Sequence, residues 1–336
     1  MALNYPRLDN ASGVWNMKEV TDAVKGGYWP VSGSRMCIAG GKYDNSSDDT
    51  IEYITIASTG DAADFGNLSV QRVGIEGHAG SLTRGFVCAG DTGAGGAVNT
   101  MDYFTTMTTG NSTDFGDLTK TGNYLGCVSN STRGVCWGNS STGVIDYWQM
   151  ASPGNATDFG DMSVNRSGKP CMNSPTRGVA GAGGGNATID YITFASTGNA
   201  ADFGDATAAT SSAAGASSST RGVSAGGLGG GATPPTVSTS SLEYIEFAST
   251  GNAVDYGDLS EEKEYGAASS SSIRAIFAGA LDAPASALNV IEYWNIPAGG
   301  TVVDFGDLGA TWENCGAWSN AHGGLCDGNQ GVVDTT

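Results

Sequence analysis

One phrase recurs six times along this chain, and it constrains the fold more than any other feature. Its copies run from Ile51-Glu52-Tyr53 to Asp64-Phe65-Gly66-Asn67-Leu68, from Met101-Asp102-Tyr103 to Asp114-Phe115-Gly116-Asp117-Leu118, and from Ile145-Asp146-Tyr147 to Asp158-Phe159-Gly160-Asp161-Met162. The others run from Ile189-Asp190-Tyr191 to Asp202-Phe203-Gly204-Asp205, from Leu242-Glu243-Tyr244 to Asp255-Tyr256-Gly257-Asp258-Leu259, and from Ile291-Glu292-Tyr293 to Asp304-Phe305-Gly306-Asp307-Leu308. The tyrosines lie 50, 44, 44, 53 and 49 residues apart, a mean of 48. A fixed period of this length is that of a propeller blade, not of a helical solenoid.

Each copy reads as four short strands. In the third, Gly126-Cys127-Val128-Ser129 turns into Arg133-Gly134-Val135-Cys136-Trp137, then into Val144-Ile145-Asp146-Tyr147-Trp148, and last into Ala156-Thr157-Asp158-Phe159-Gly160. Short apolar runs punctuated by Gly, Ser, Asn and Pro are an all-β pattern. In Ile51-Glu52-Tyr53-Ile54-Thr55-Ile56 both alternating sets contain apolar residues, so the sheet must be covered on both faces. Blades stacked around a ring meet that demand and protect most strand edges.

The second strand permits a further count. Arg35, Arg84, Arg133, Arg177, Arg221 and Arg274 mark six copies, and residues 316–329 align with 126–139 as a seventh in which Gly323 replaces the arginine. Seven periods of 48 also fill 336 residues. The expectation is therefore seven four-stranded blades in a single domain spanning 28–336, with six as the alternative. Residues 1–27 are expected to form an N-terminal segment: a strand at 10–17 that closes the last blade, then a short helix carrying Met17, Val20 and Val24 on one face.

The aliphatic second strand ending in Gly (Met36-Cys37-Ile38-Ala39-Gly40-Gly41), the third-strand tyrosine and the fourth-strand aromatic resemble those of a kelch-type β-propeller. The wording of the repeats is similar to that of kelch-like repeat proteins encoded by tailed bacteriophages of marine bacteria and cyanobacteria. That resemblance implies a virion component: a tail-fibre or neck appendage, or a head decoration. Its implied partners are other virion proteins or a host-surface glycan, and its implied site of action is the virion, after synthesis in the host cytoplasm.

Composition removes other classes. With 34 acidic and 15 basic residues the net charge is −19, which repels phosphate backbones, so no nucleic-acid partner is expected. No apolar run is long enough to span a membrane, and the first residues carry no secretory h-region. The seven cysteines have no CxxC pair and read as small buried hydrophobes.

Asp-Phe-Gly is a kinase metal-binding motif when it stands with a lysine strand and a His-Arg-Asp loop, neither of which is present here. Repeated in every unit, Phe65, Phe115, Phe159, Phe203, Tyr256 and Phe305 read as aromatics packed between blades, each followed by a glycine that permits a bulge. The six arginines read as clamps on a carboxylate or a backbone carbonyl, because charges drawn into a β interior are paired. Asp44 to Asp49 is rich in oxygen ligands but lacks EF-hand spacing, so no metal or cofactor is expected. No nucleophile elbow or triad pattern occurs, and a non-enzymatic protein is expected; a glycan-processing depolymerase is the alternative.

The loops joining third to fourth strands are nearly identical, whereas those on the opposite face diverge. Residues that differ among copies are not dictated by the scaffold, and such loops commonly carry binding groups. Tyr43, Arg72, Tyr124, Arg166, Tyr265 and Trp312 on that face are the candidate contacts, being of the types that anchor interfaces.

Overall fold

The computed structural model describes residues 34–325, apart from 44–45, 77–78, 94, 231–236 and 283–285. These residues are all β, with no helix among them. They form six antiparallel sheets, I to VI, each of four principal strands. Sheet III shows the pattern: Leu125–Ser129 innermost, then Arg133–Cys136, Val144–Gln149 and Thr157–Asp161 outermost. Sheet II runs from Ala79–Gly80 through Arg84–Cys88 and Thr100–Thr105 to Thr113–Asp117. Sheets IV, V and VI begin at Cys171–Asn173, Ala214–Ser217 and Ala267–Ser270, and their outer strands are longer, at Ala201–Ser211, Val254–Glu264 and Val303–Trp312.

Sheet I is assembled from both ends of the described chain. Arg35–Ala39, Ser46–Thr55 and Ala63–Arg72 are its second to fourth strands, and Gly316–Ser319 pairs antiparallel with Arg35–Ala39 as the innermost. The innermost strands touch in cyclic order, from I through VI and back to I, as a barrel-like ring. Six sheets therefore close the cycle among the described residues, where seven were expected. The reason is physical: Gly316-Ala317-Trp318-Ser319 was counted as the start of another unit, but its backbone completes the sheet that otherwise lacks a first strand. The expected strand at 10–17 and the helix that follows lie outside the described residues.

The repeated residues make the contacts between sheets. Each arginine donates from Nη1 to a carbonyl of the next sheet, over 2.5–3.1 Å: Arg35 to Thr106, Arg84 to Met150, Arg133 to Phe194, Arg177 to Phe247, Arg221 to Ile296 and Arg274 to Ile56. The guanidinium also lies 4.1–5.2 Å from the ring centre of its own sheet's tyrosine. It is thus held by a carbonyl in front and a π face beneath. The carboxylates before those tyrosines reach back the other way. Asp102, Asp146 and Asp190, all fully buried, each accept from the backbone N–H and hydroxyl of Ser69, Thr119 and Ser163 on the preceding sheet.

Asp-Phe-Gly, or Asp-Tyr-Gly in sheet V, forms a bulge in all six sheets, with the register shifting between Ile51 and Glu52 in sheet I and at the equivalent step elsewhere. The bulged Phe65 packs edge-on against Tyr53 and against Phe104 of the next sheet. The glycine is fixed by a close approach: a Cβ on Gly160, whose φ is +148°, would lie 2.4 Å from the carbonyl oxygen of Gly198 in the following sheet.

Candidate functional site

The outer strand of every sheet must turn inward to reach the next innermost strand, and each such link carries one residue with positive φ. They are Gly74 (70°), Tyr124 (56°), Gly168 (67°), Ser212 (57°), Tyr265 (59°) and Asn314 (54°). Four are not glycine, and holding them there costs on the order of 1–3 kcal/mol each, so the surroundings must over-determine the conformation.

A hydrogen-bonded cycle does this. The N–H of Tyr124 donates to Gly74 O (2.7 Å), Gly74 to Asn314 O (3.2 Å), Asn314 to Tyr265 O (2.9 Å), Tyr265 to Ser212 O (3.0 Å) and Ser212 to Gly168 O (2.6 Å). The remaining step, between Gly168 and Tyr124, is bridged by side chains. Gly168 N donates to Glu76 Oε2 at 3.0 Å, and Lys169 Nζ donates to Tyr124 O at 3.4 Å. Glu76 is set in place by the short strand Ile75–Glu76, which pairs parallel with Leu125–Gly126. One carboxylate and one ammonium thus interrupt an otherwise main-chain ring at one end of the barrel-like ring of innermost strands, the channel mouth.

Beneath the ring lies a cavity of about 30 Å³ whose walls include Ile75, Glu76, Lys169, Cys171, Tyr265 and Asn314. Lys169 is buried, and Glu76 Oε1 and Asn314 Oδ1 have no hydrogen-bond partner among the described residues. Burial pushes the Glu76 carboxyl up to about 7 despite Lys169 and two backbone amides, and burial lowers the Lys169 amine despite Glu76. Above them Tyr124 and Tyr265, from opposite sides of the ring, bring their ring centres to 6.5 Å. Burial, then Tyr265 and Glu76, pushes the Tyr124 phenol up to about 12, so Tyr124 is a neutral donor at ordinary pH.

The other end of the barrel-like ring carries a polar girdle. Ser129, Asn173, Ser217, Ser270 and Ser319 bind neighbouring main chain where the innermost strands end. Into this girdle the segment after Gly316–Ser319 inserts His322, whose Nε2 lies 3.0 Å from Gly80 O and whose Nδ1 lies 2.7 Å from Asn173 Nδ2. Burial lowers the His322 imidazole to about 4.

The six residues expected to be contacts separate sharply. Tyr124 and Tyr265 are half-buried at the mouth and meet one another. Tyr43 lies in the strand Lys42–Tyr43, with its side chain outside the described residues. Arg72, Arg166 and Trp312 must be corrected, because all three are buried. Arg72 pairs with Asp102 and Arg166 with Asp190, both at 3.0 Å, so each cation neutralises the repeated carboxylate of the next sheet. Lys120 on Asp146 and Lys263 on Glu292 do the same. Trp312 holds the same register position, six residues after the bulge glycine, and fills it with an indole in the apolar core between sheets VI and I.

Glu76, Lys169, Asn314 and His322 were not foreseen. The first two stand 93 positions apart and share no local motif, although Asn314 occupies the same link position as Tyr124 and Tyr265. Among the described residues, no three His, Cys, Asp or Glu side chains converge as a metal-ligand set. No protein-family model matches this chain, and no curated protein matches it in sequence.

Proposed function

We propose that this chain is a six-bladed β-propeller acting as a non-enzymatic binding or assembly module of a tailed-phage virion, in an appendage or as a head decoration. The channel-mouth face is its contact surface, toward another virion protein or a host-surface glycan. The virion assignment draws on the resemblance of the repeats to kelch-like phage proteins. The observation that carries the binding assignment is the difference between repeated and unrepeated groups. The repeated arginines and the carboxylates before the tyrosines are engaged in contacts between sheets, whereas Tyr124, Tyr265, Glu76 and Lys169 break the sixfold pattern and gather at one opening.

Virions carrying Tyr124→Ala and Tyr265→Ala together test this. Host adsorption, or the copy number of this protein on the particle, should fall about tenfold or more, the loss typical of paired aromatic anchors. Asp158→Ala, on the exposed outer edge, should leave both unchanged. Normal adsorption and normal copy number in the double variant would overturn the reading, and released reducing ends from host polysaccharide would favour the depolymerase alternative.

A further inference from the structure

We propose that the channel mouth is a subsite for a neutral terminal sugar, which places one hydroxyl in the cavity below the main-chain ring and its C–H face against Tyr124 and Tyr265. This rests on the binding role assigned above and names its ligand class.

The unpaired polar atoms define what fits. Among the described residues, Glu76 Oε1 and Asn314 Oδ1 are acceptors without a donor, and Lys169 Nζ, a group with three hydrogens, has one acceptor at 3.4 Å. A group that satisfies them must both donate and accept, which a hydroxyl does and a carboxylate or an ammonium does not. About 30 Å³ admits a hydroxyl or a water, but not a ring. The body of the ligand therefore remains outside, where the half-buried phenol rings of Tyr124 and Tyr265, from opposite sides of the mouth and 6.5 Å apart, combine apolar bodies with polar tips. The Glu76–Lys169 pair adds no net charge in its ionised form, and a chain of net charge −19 disfavours acidic sugars. Neutral hexoses meet all of these conditions.

Saturation-transfer NMR on the full chain tests the proposal, using the methyl glycosides of glucose, galactose and mannose, with methyl glucuronide as the acidic control. At least one neutral glycoside should receive saturation and the glucuronide should not. Glu76→Gln, which keeps the shape, should weaken binding about tenfold or more, as expected for loss of a charge-assisted hydrogen bond. Tyr265→Ala, at the half-buried rim, gives a second reading that leaves the Glu76 and Lys169 side chains in place and should weaken binding by a similar factor. Absence of transfer to every neutral glycoside, or transfer unchanged in both variants, overturns the proposal. If the sugars fail while the double tyrosine variant still loses adsorption or copy number, the sugar subsite falls and the contact face stands.

Discussion

Arg166 illustrates how a charged side chain can become core. Its guanidinium is 1 % exposed and donates to Gly181 O, Ala180 O, Val164 O and Asp190 Oδ2, so every bond it forms is internal. Removing the cation leaves Asp190 buried with only Ser163, among the described residues, to answer it. Arg166→Met should therefore destabilise the fold by about 3–5 kcal/mol, read from urea unfolding. His322 sets a pH dependence of its own. Its folded pKa, about 4, lies below the ordinary 6.5, so the unfolded chain binds the extra proton first. Its contribution is complete above pH 6.5 and is lost as the pH falls toward 4, amounting to about 3 kcal/mol. Glu76 has the opposite sign: its carboxyl is raised to about 7, so its contribution is full below pH 4.5 and is lost as the pH rises toward 7. Unfolding measured from pH 4 to 7.5 should show a shallower acid slope in His322→Gln than in the parent chain.

The outermost strand with its bulge is the element that ties one sheet to the next, and its glycines differ in what they meet. A Cβ at Gly160 strikes a carbonyl at 2.4 Å, whereas at Gly257, between sheets V and VI, the nearest such oxygen is 3.6 Å away. Both positions have positive φ, so both substitutions carry backbone strain. Gly160→Ala should cost about 2–4 kcal/mol and Gly257→Ala about half of that, compared by thermal or urea unfolding of the two variants. This element was readable in the sequence because its residues repeat: period, strand order, bulge glycine and buried aromatic follow from six copies of one phrase. What was hidden lay between copies. Arg72 and Arg166 looked like loop variation because the partner carboxylate lies 24 to 30 residues downstream on another sheet, and the register position shared with Lys263 and Trp312 emerges once the strands are paired. The contacts of Glu76 with Gly168 and of Lys169 with Tyr124 exist only because the ring brings two distant links together, and no pattern along the chain encodes them.

For the molecule as a whole, the decisive pairing is Arg35–Ala39 with Gly316–Ser319, which also places Trp318 between Cys37, Val87 and Phe104. A chain truncated after residue 315 should retain five complete sheets but leave sheet I with an open edge and an unfilled core. It should be cut by protease far faster than the full chain and self-associate in size-exclusion chromatography. A truncated chain that stays monomeric and resistant would refute a closing role for this strand. Of the two expected counts, seven or the alternative six, the described residues do not confirm seven at this same place. Counting along a line cannot reveal that the last copy of a first strand belongs to the first sheet, and that becomes visible only in the paired backbone.

The closing strand also orders events in time. The hydrogen bond from Arg35 N to the Asn320 side chain joins residues 285 apart, so at ordinary rates of translation one partner waits roughly 15–60 s for the other to be made. During that interval Arg35–Ala39 is a bare edge in a crowded cell where many copies are being synthesised side by side. A neighbouring chain's finished tail is then a chemically perfect substitute for its own. High expression therefore carries a built-in hazard of exchanged tails and linked rings, and slower synthesis should favour separate, self-closed molecules.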